Sequence, residues 1–331
     1  MRRLLVIGIV VAGLLAGAGA WWVHQPLRMA GARPGQQLDV SIEPGTAARG
    51  VAQALVDAGV QTSPELLFWW FRLSGSARQI KAGSYEIERG ATPRSLLQML
   101  VRGDQALRAV TFVEGWTFNQ VRAAMAREEH LKADTTGLTG EAIMALLERP
   151  GVHPEGRFFP DTYTFAKGSS DLAVLRRALR AMDKKLDAAW AQRAPTVPLK
   201  SPDEALVLAS IVEKETGKAA DRGQIAGVFA NRLRINMLLQ TDPTVIYGLG
   251  DKFDGNLRRR DLQADTPYNT YTRLGLPPTP IAMPGKAALL AAVNPEPTKA
   301  LYFVARGDGT SQFSATLDEH NRAVNKFQRG Q

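Results

Sequence analysis

The chain has 331 residues, 45% of them hydrophobic and 22% charged, a balance that suits a folded protein with a large core and excludes an intrinsically disordered one. It contains no cysteine, which excludes a disulfide framework, a thiolate zinc site and a cysteine nucleophile. The net charge of +9 fits nucleic acid, anionic lipid or acidic glycan as surroundings and does not choose among them.

Arg2 and Arg3 precede an uncharged run over residues 4–23, which closes on Trp21, Trp22 and Val23. About 20 apolar residues span a bilayer as a helix. Basic residues before the run predict a cytoplasmic N-terminus, and paired tryptophans suit the far interface. Residues 1–25 are therefore expected to be a cytoplasmic tip and transmembrane anchor. The alternative is a cleaved signal peptide, because Ala18-Gly19-Ala20 resembles a cleavage site. Either way the rest of the chain is exported, and a nucleic-acid partner is not expected.

Next come three segments of one pattern, strand, glycine turn, then amphipathic helix: residues 40–55 (VSIEPGTAARGVAQAL), 85–100 (YEIERGATPRSLLQML) and 110–125 (VTFVEGWTFNQVRAAM). Alternation at Val40 and Ile42, and at Tyr85 and Ile87, marks half-buried strands. Gly45, Gly90 and Gly115 stand where each strand must turn into its helix. An apolar helix around Pro64–Leu73 separates the first two segments and carries Trp69, Trp70 and Phe71. Modules of this size resemble LysM domains, which bind N-acetylglucosamine polymers. The plainer alternative is a small α+β domain with the aromatics in its core. Residues 36–125 are expected to form this domain.

The stretch EGRFFPDTYTF (155–165) reads as an ordered loop and short strand, with Pro160-Asp161 as the turn. A helix follows over about residues 171–194, then a proline-rich break up to Pro202. Ser201 is placed to cap the next helix, with Glu204 at the capping-box position. Along that helix (EALVLASIVEKET), Leu208, Ile211, Val212 and Glu215 share one face, and Glu213 lies about 140° from Leu208. Glu215 is thus expected inside and Glu213 in water. A carboxylate in an apolar setting has a raised pKa, so it can hold a proton near neutral pH and give it to a leaving oxygen. Taken alone, the spacing also allows a structural glutamate paired with Arg232 or Lys218. Downstream, residues 231–250 bring Asn231, Gln240, Thr241, Asp242 and Tyr247, and residues 266–285 bring Tyr268, Asn269, Thr270 and Tyr271. These are groups that stack on sugars and hydrogen-bond to them, in long loops of the kind that carry function.

ASIVEKET, LQTDPTVIYG, YNTY, GLPPTPI and EGRFFPDTY together resemble the motifs of the endolytic murein transglycosylase, or YceG-like, family. The resemblance covers nearly the whole chain. It implies an α+β fold made of a transmembrane helix, a LysM-like strand-helix domain and a mixed α/β catalytic domain over residues 126–331. It implies cleavage of the MurNAc–GlcNAc β-1,4 bond of nascent peptidoglycan strands, leaving a 1,6-anhydroMurNAc end and limiting strand length. Glu215 matches the family's catalytic glutamate. Gln240, Asp242, Tyr268 and Asn269 are candidate substrate-binding residues, and no cofactor or metal is expected. The implied partners are glycan strands, cell-wall synthases of the penicillin-binding class and the inner membrane. A single-pass protein with a cytoplasmic N-terminus and a periplasmic catalytic domain follows.

Other chemistries fit less well. His24, His130, His153 and His320 are scattered without the spacing of metal ligands. Ser210 lies mid-helix without a nucleophile elbow. A glycan-binding module without catalysis and a water-using muramidase remain as rivals. A muramidase would need a second carboxylate, with Asp242 or Asp161 available.

Overall fold

In the computed structural model, residues 2–30 and 38–330 are described, without the side chains of residues 2–5, 9, 12 and 15. The expected domain start at residue 36 lies outside them. Among the described residues, no helix is long and apolar enough to cross a membrane. The fold is mixed α/β, and every sheet among these residues has only two strands. The chain divides into two compact units, residues 1–108 with 164–169, and residues 109–163 with 170–331.

The first unit contains α1 (Arg2–Trp22), β1 (Arg28–Met29), β2 (Leu38–Ile42), α2 (Ala48–Asp57), β3 (Val60–Gln61), α3 (Pro64–Leu73), β4 (Gly83–Ile87) and α4 (Pro93–Arg102). Strands β2 and β4 pair antiparallel, with Val40 opposite Tyr85 and Leu38 opposite Ile87. Their inward side chains Val40, Ile42, Tyr85 and Ile87 form a core with Leu55, Leu67, Phe71, Leu96 and Leu100. Alternation in the sequence thus becomes one buried face, as the period of two requires. Gly45 and Gly90 adopt positive φ, 84° and 89°, at the strand-to-helix turns. Ser63 caps α3 by accepting the Glu65 N–H, and Thr92 and Ser95 form a reciprocal capping box on α4.

The second unit begins within β5 (Leu107–Thr111) and continues with α5 (Phe118–Ala126), α6 (Gly140–Leu146), the start of β6 (Thr162–Ala166), whose end belongs to the first unit, α7 (Asp171–Ala191), α8 (Pro202–Glu215), α9 (Ala219–Arg234), α10 (Asp242–Leu249), α11 (Arg259–Gln263), α12 (Lys286–Val293), β7 (Tyr302–Ala305), β8 (Ser311–Ser314) and α13 (Leu317–Gln328). The third strand-turn-helix segment, expected with the N-terminal domain, is built into this unit. Phe118 stacks on Phe158 with ring centroids 5.2 Å apart, and the Gly115 N–H donates to the Met283 carbonyl at 2.9 Å. Helix α8 is the hub. Each residue from 205 to 212 is buried, because α7, α9 and α12 all pack against it. Ser201 caps it through the Glu204 N–H, and the Glu204 carboxylate reaches back to the Lys200 N–H. Ser210 is also structural, since its hydroxyl donates to the Val207 carbonyl and accepts the Ile281 N–H.

Candidate active site

Glu215 is the last residue of α8, the point at which the buried helix reaches an open cleft of about 570 Å³. Its carboxylate accepts a hydrogen bond from the Thr241 hydroxyl. Burial pushes the carboxyl from its ordinary 4.5 up to about 7, with Asp242 adding to the rise and the Thr241 hydrogen bond and Arg232 opposing it. A carboxyl in that range exchanges its proton near neutrality, which a general acid and base requires.

Thr241 is held from beneath. Its backbone N–H donates to the Thr270 hydroxyl at 3.1 Å, and Thr244 bridges the Thr241 carbonyl and the Thr270 hydroxyl at 2.8 and 2.9 Å. The preceding Gln240 adopts φ of 48°, a left-handed conformation that costs a non-glycine residue energy and needs support from its surroundings. That support is visible on both sides. The Gln240 N–H donates to the Thr270 carbonyl at 3.0 Å, and the buried Arg232 guanidinium donates to the carbonyls of Leu238 and Leu239 at 3.1 and 2.8 Å. Arg232 also donates to the Leu301 carbonyl at 2.7 Å and lies 5.2 Å from the centre of the Tyr302 ring. Among the described residues it makes no ion pair with Glu215.

The structure places the five candidates differently. Glu215, Gln240 and Asp242 line the same cleft with Tyr271 and Tyr302, and the Tyr271 hydroxyl donates to Asp242 at 2.6 Å. Tyr268 lines a separate cavity of about 720 Å³, where its ring meets Tyr247 edge-on at 4.9 Å and its hydroxyl pairs with Thr279. Asn269 lines neither of these two cavities. It is fully buried, its amide donating to the carbonyls of Asp261, Leu262 and Ala264 and accepting the Tyr271 N–H. It shapes the loop that carries Tyr271. Asn231 is likewise spent on the carbonyls of Thr298 and Ala300.

Glu213 departs from the helical-wheel expectation. It is half-buried and accepts the Gly285 N–H at 2.9 Å, and burial raises its pKa. A wheel assumes one wet face, and α8 has almost none. Sequence reasoning also missed Glu155. This buried carboxylate accepts the Phe118 N–H at the start of α5 and the Tyr247 hydroxyl at 3.2 Å, and burial raises its pKa to about 7. Tyr302 and His320, stacked 5.2 Å apart on the cleft wall, come from β7 and α13 and carry no local signal. Among the described residues, no three His, Cys, Asp or Glu side chains group as a metal site would require.

The sequence profile of the YceG-like family matches residues 40–326. The chain belongs to the YceG-like family. It is 32% identical over 307 residues to the endolytic murein transglycosylase of Bacillus subtilis (strain 168), covering 88% of this chain and 84% of that one. The endolytic murein transglycosylase of Streptococcus pneumoniae serotype 2 (strain D39) is 29% identical over 362 residues, covering 96% of this chain and 64% of that one, so the chain spans less than two thirds of that relative. A crystal structure of a yceG-like protein from Listeria monocytogenes superposes with a TM-score of 0.54 at 30% identity, covering 87% of this chain and 99% of that one. Glu215, Gln240, Thr241 and Asp242 all lie within the residues that the family profile matches.

Proposed function

We propose that this chain is an endolytic murein transglycosylase, acting on peptidoglycan with Glu215 as its acid and base. The observation that carries the reading is a carboxyl of pKa about 7 at the end of a buried helix, opening on a cleft lined by Gln240, Asp242, Tyr271 and Tyr302. Protonated Glu215 gives its proton to the oxygen joining MurNAc C1 to GlcNAc, and that C1–O bond breaks. The carboxylate then takes the proton of the MurNAc C6 hydroxyl as its oxygen bonds to C1. The product is a 1,6-anhydro end, and no water is consumed. An internal nucleophile needs no second carboxylate and gains from proximity. Gln240 and Asp242 hold the sugar, Tyr268 contributes from the neighbouring cavity, and Asn269 acts through the loop it pins.

The remaining parts of the reading follow from the sequence. Residues 4–23 anchor the chain in the inner membrane with a cytoplasmic N-terminus, and the catalytic domain faces the periplasm. In support, Val6, Ile7, Val10, Val11 and Leu14 of α1 are all exposed. The β2–α2–α3–β4 arrangement supports a LysM-like module within residues 36–125. Cutting strands beside the bilayer, next to penicillin-binding synthases, limits their length. The test is the mass of the new ends made from purified glycan strands. Ends lighter by one water, absent with Glu215→Gln, are expected. Hydrated reducing ends would make the enzyme a muramidase and turn attention to Asp242.

A further inference from the structure

Helix α3 has two apolar faces. Leu67 and Phe71 fill the core of the first unit, whereas Leu66, Trp69 and Leu73 are 52%, 52% and 80% exposed. At the helical repeat the three exposed side chains fall within an arc of roughly 60°, opposite Leu67 and Phe71. A surface helix normally turns a polar face to water, and a contiguous apolar patch marks a contact surface.

The position of this stripe narrows the partner. Trp70, on the same helix, donates its indole N–H to the Pro93 carbonyl at 3.0 Å. The next residue, Arg94, donates its backbone N–H to the carbonyl of Val23 at 3.1 Å, directly after α1. Trp22 and Trp70 pack against the same core cluster. Helix α3 therefore flanks the point at which α1 joins the unit. Exposed cations lie on the segments that meet there, Arg28 after α1, Arg72 on α3 and Arg94 at the start of α4, against one exposed carboxylate on α3, Glu65.

We propose that Leu66, Trp69 and Leu73 form a membrane-contact surface that seats α3 in the headgroup boundary of a bilayer containing anionic lipid. The proposal rests on the reading of residues 4–23 as an anchor. A helix lying in the interface plane buries its apolar face about 5–10 Å into that boundary. Tryptophan favours this depth, and arginines beside it draw anionic headgroups. The contact holds the first unit against the bilayer, where an anchor alone would leave it free to swing.

The absence of cysteine makes the test direct, because any introduced thiol is unique. The full chain is reconstituted in vesicles of mixed zwitterionic and anionic phospholipid, with a polarity-sensitive fluorophore on Leu66→Cys, Leu73→Cys, Val11→Cys or Gln192→Cys. Nitroxides are carried either near the glycerol end or near the tip of the acyl chains. Blue-shifted emission at positions 66 and 73, quenched by the shallow nitroxide, is expected. The deep nitroxide should quench at position 11, and neither should quench at position 192. Quenching at 11 with positions 66 and 73 as silent as 192 would overturn the proposal and leave the stripe to glycan or protein. Silence at 11 as well would overturn the anchor reading and the proposal with it.

Discussion

Replacing Glu215 with glutamine should stabilise the protein, and only above the pH at which the carboxyl ionises. In the unfolded chain the carboxyl titrates at its ordinary 4.5, whereas in the cleft burial raises it to about 7. Below about pH 4.5 the group is protonated in both states and has no effect on folding. Between those values the unfolded state loses its proton first, so native stability falls as pH rises, and the loss is complete above about pH 7. At about 1.4 kcal/mol for each pH unit between the two pKa values, the full loss is about 3 kcal/mol. The carboxyl opens on a wet cleft, which lowers the expected gain of the variant to about 1–3 kcal/mol. Glutamine keeps the acceptor for the Thr241 hydroxyl, so the comparison isolates the charge. The assay is denaturant or thermal unfolding of both proteins near pH 4 and near pH 8.5, read as a difference of differences. An equal effect at both pH values, or a less stable variant at the higher one, would refute the placement of Glu215 in a desolvating site.

Other outcomes can be checked alongside it. Thr241→Val removes a hydrogen bond that lowers the Glu215 pKa. The alkaline limb of the activity profile, where the acid is lost, should therefore move up by about one pH unit, given roughly 1.5 kcal/mol for a bond to a charged group. Thr241→Ser should restore it. Asn269→Ala strands the carbonyls its amide now serves, so the melting temperature and turnover should fall together, by about 1–3 kcal/mol in stability. Unchanged stability would refute the bracing role given to Asn269. Gly156→Ala is blocked twice, by a φ of 76° and by a Cβ that would sit 2.4 Å from the Pro280 side chain. Loss of about 1–3 kcal/mol is expected from unfolding curves.

Local chemistry made much of this legible. Each of the three strand-turn-helix segments forms as its alternation and glycine imply, and Gly45, Gly90 and Gly115 all take positive φ. The Ser201 cap and the inward Glu215 followed from spacing alone. The failures have a common cause. A wheel drawn on α8 needs one solvent face, and the packing of α7, α9 and α12 leaves none for Glu213 to reach freely. Asn269 read as a sugar ligand because a polar residue in a loop looks the same whether it faces a cleft or braces the loop from within. Tyr302 and His320 reach the Glu215 cleft only through tertiary folding, which no local pattern records. Glu155 was hidden for the same reason, since its partners Phe118 and Tyr247 are distant in the chain.

The cleft wall made by Tyr302 and His320 also bears on how the protein is made. Glu215 ends α8, whereas Tyr302 and His320 stand on β7 and α13, much later in the chain. Domains generally fold as units as synthesis proceeds. A chain still being made thus carries Glu215 without the wall that completes its cleft. The cleft around Glu215 is therefore complete only once β7 and α13 have been made and have packed into the second unit.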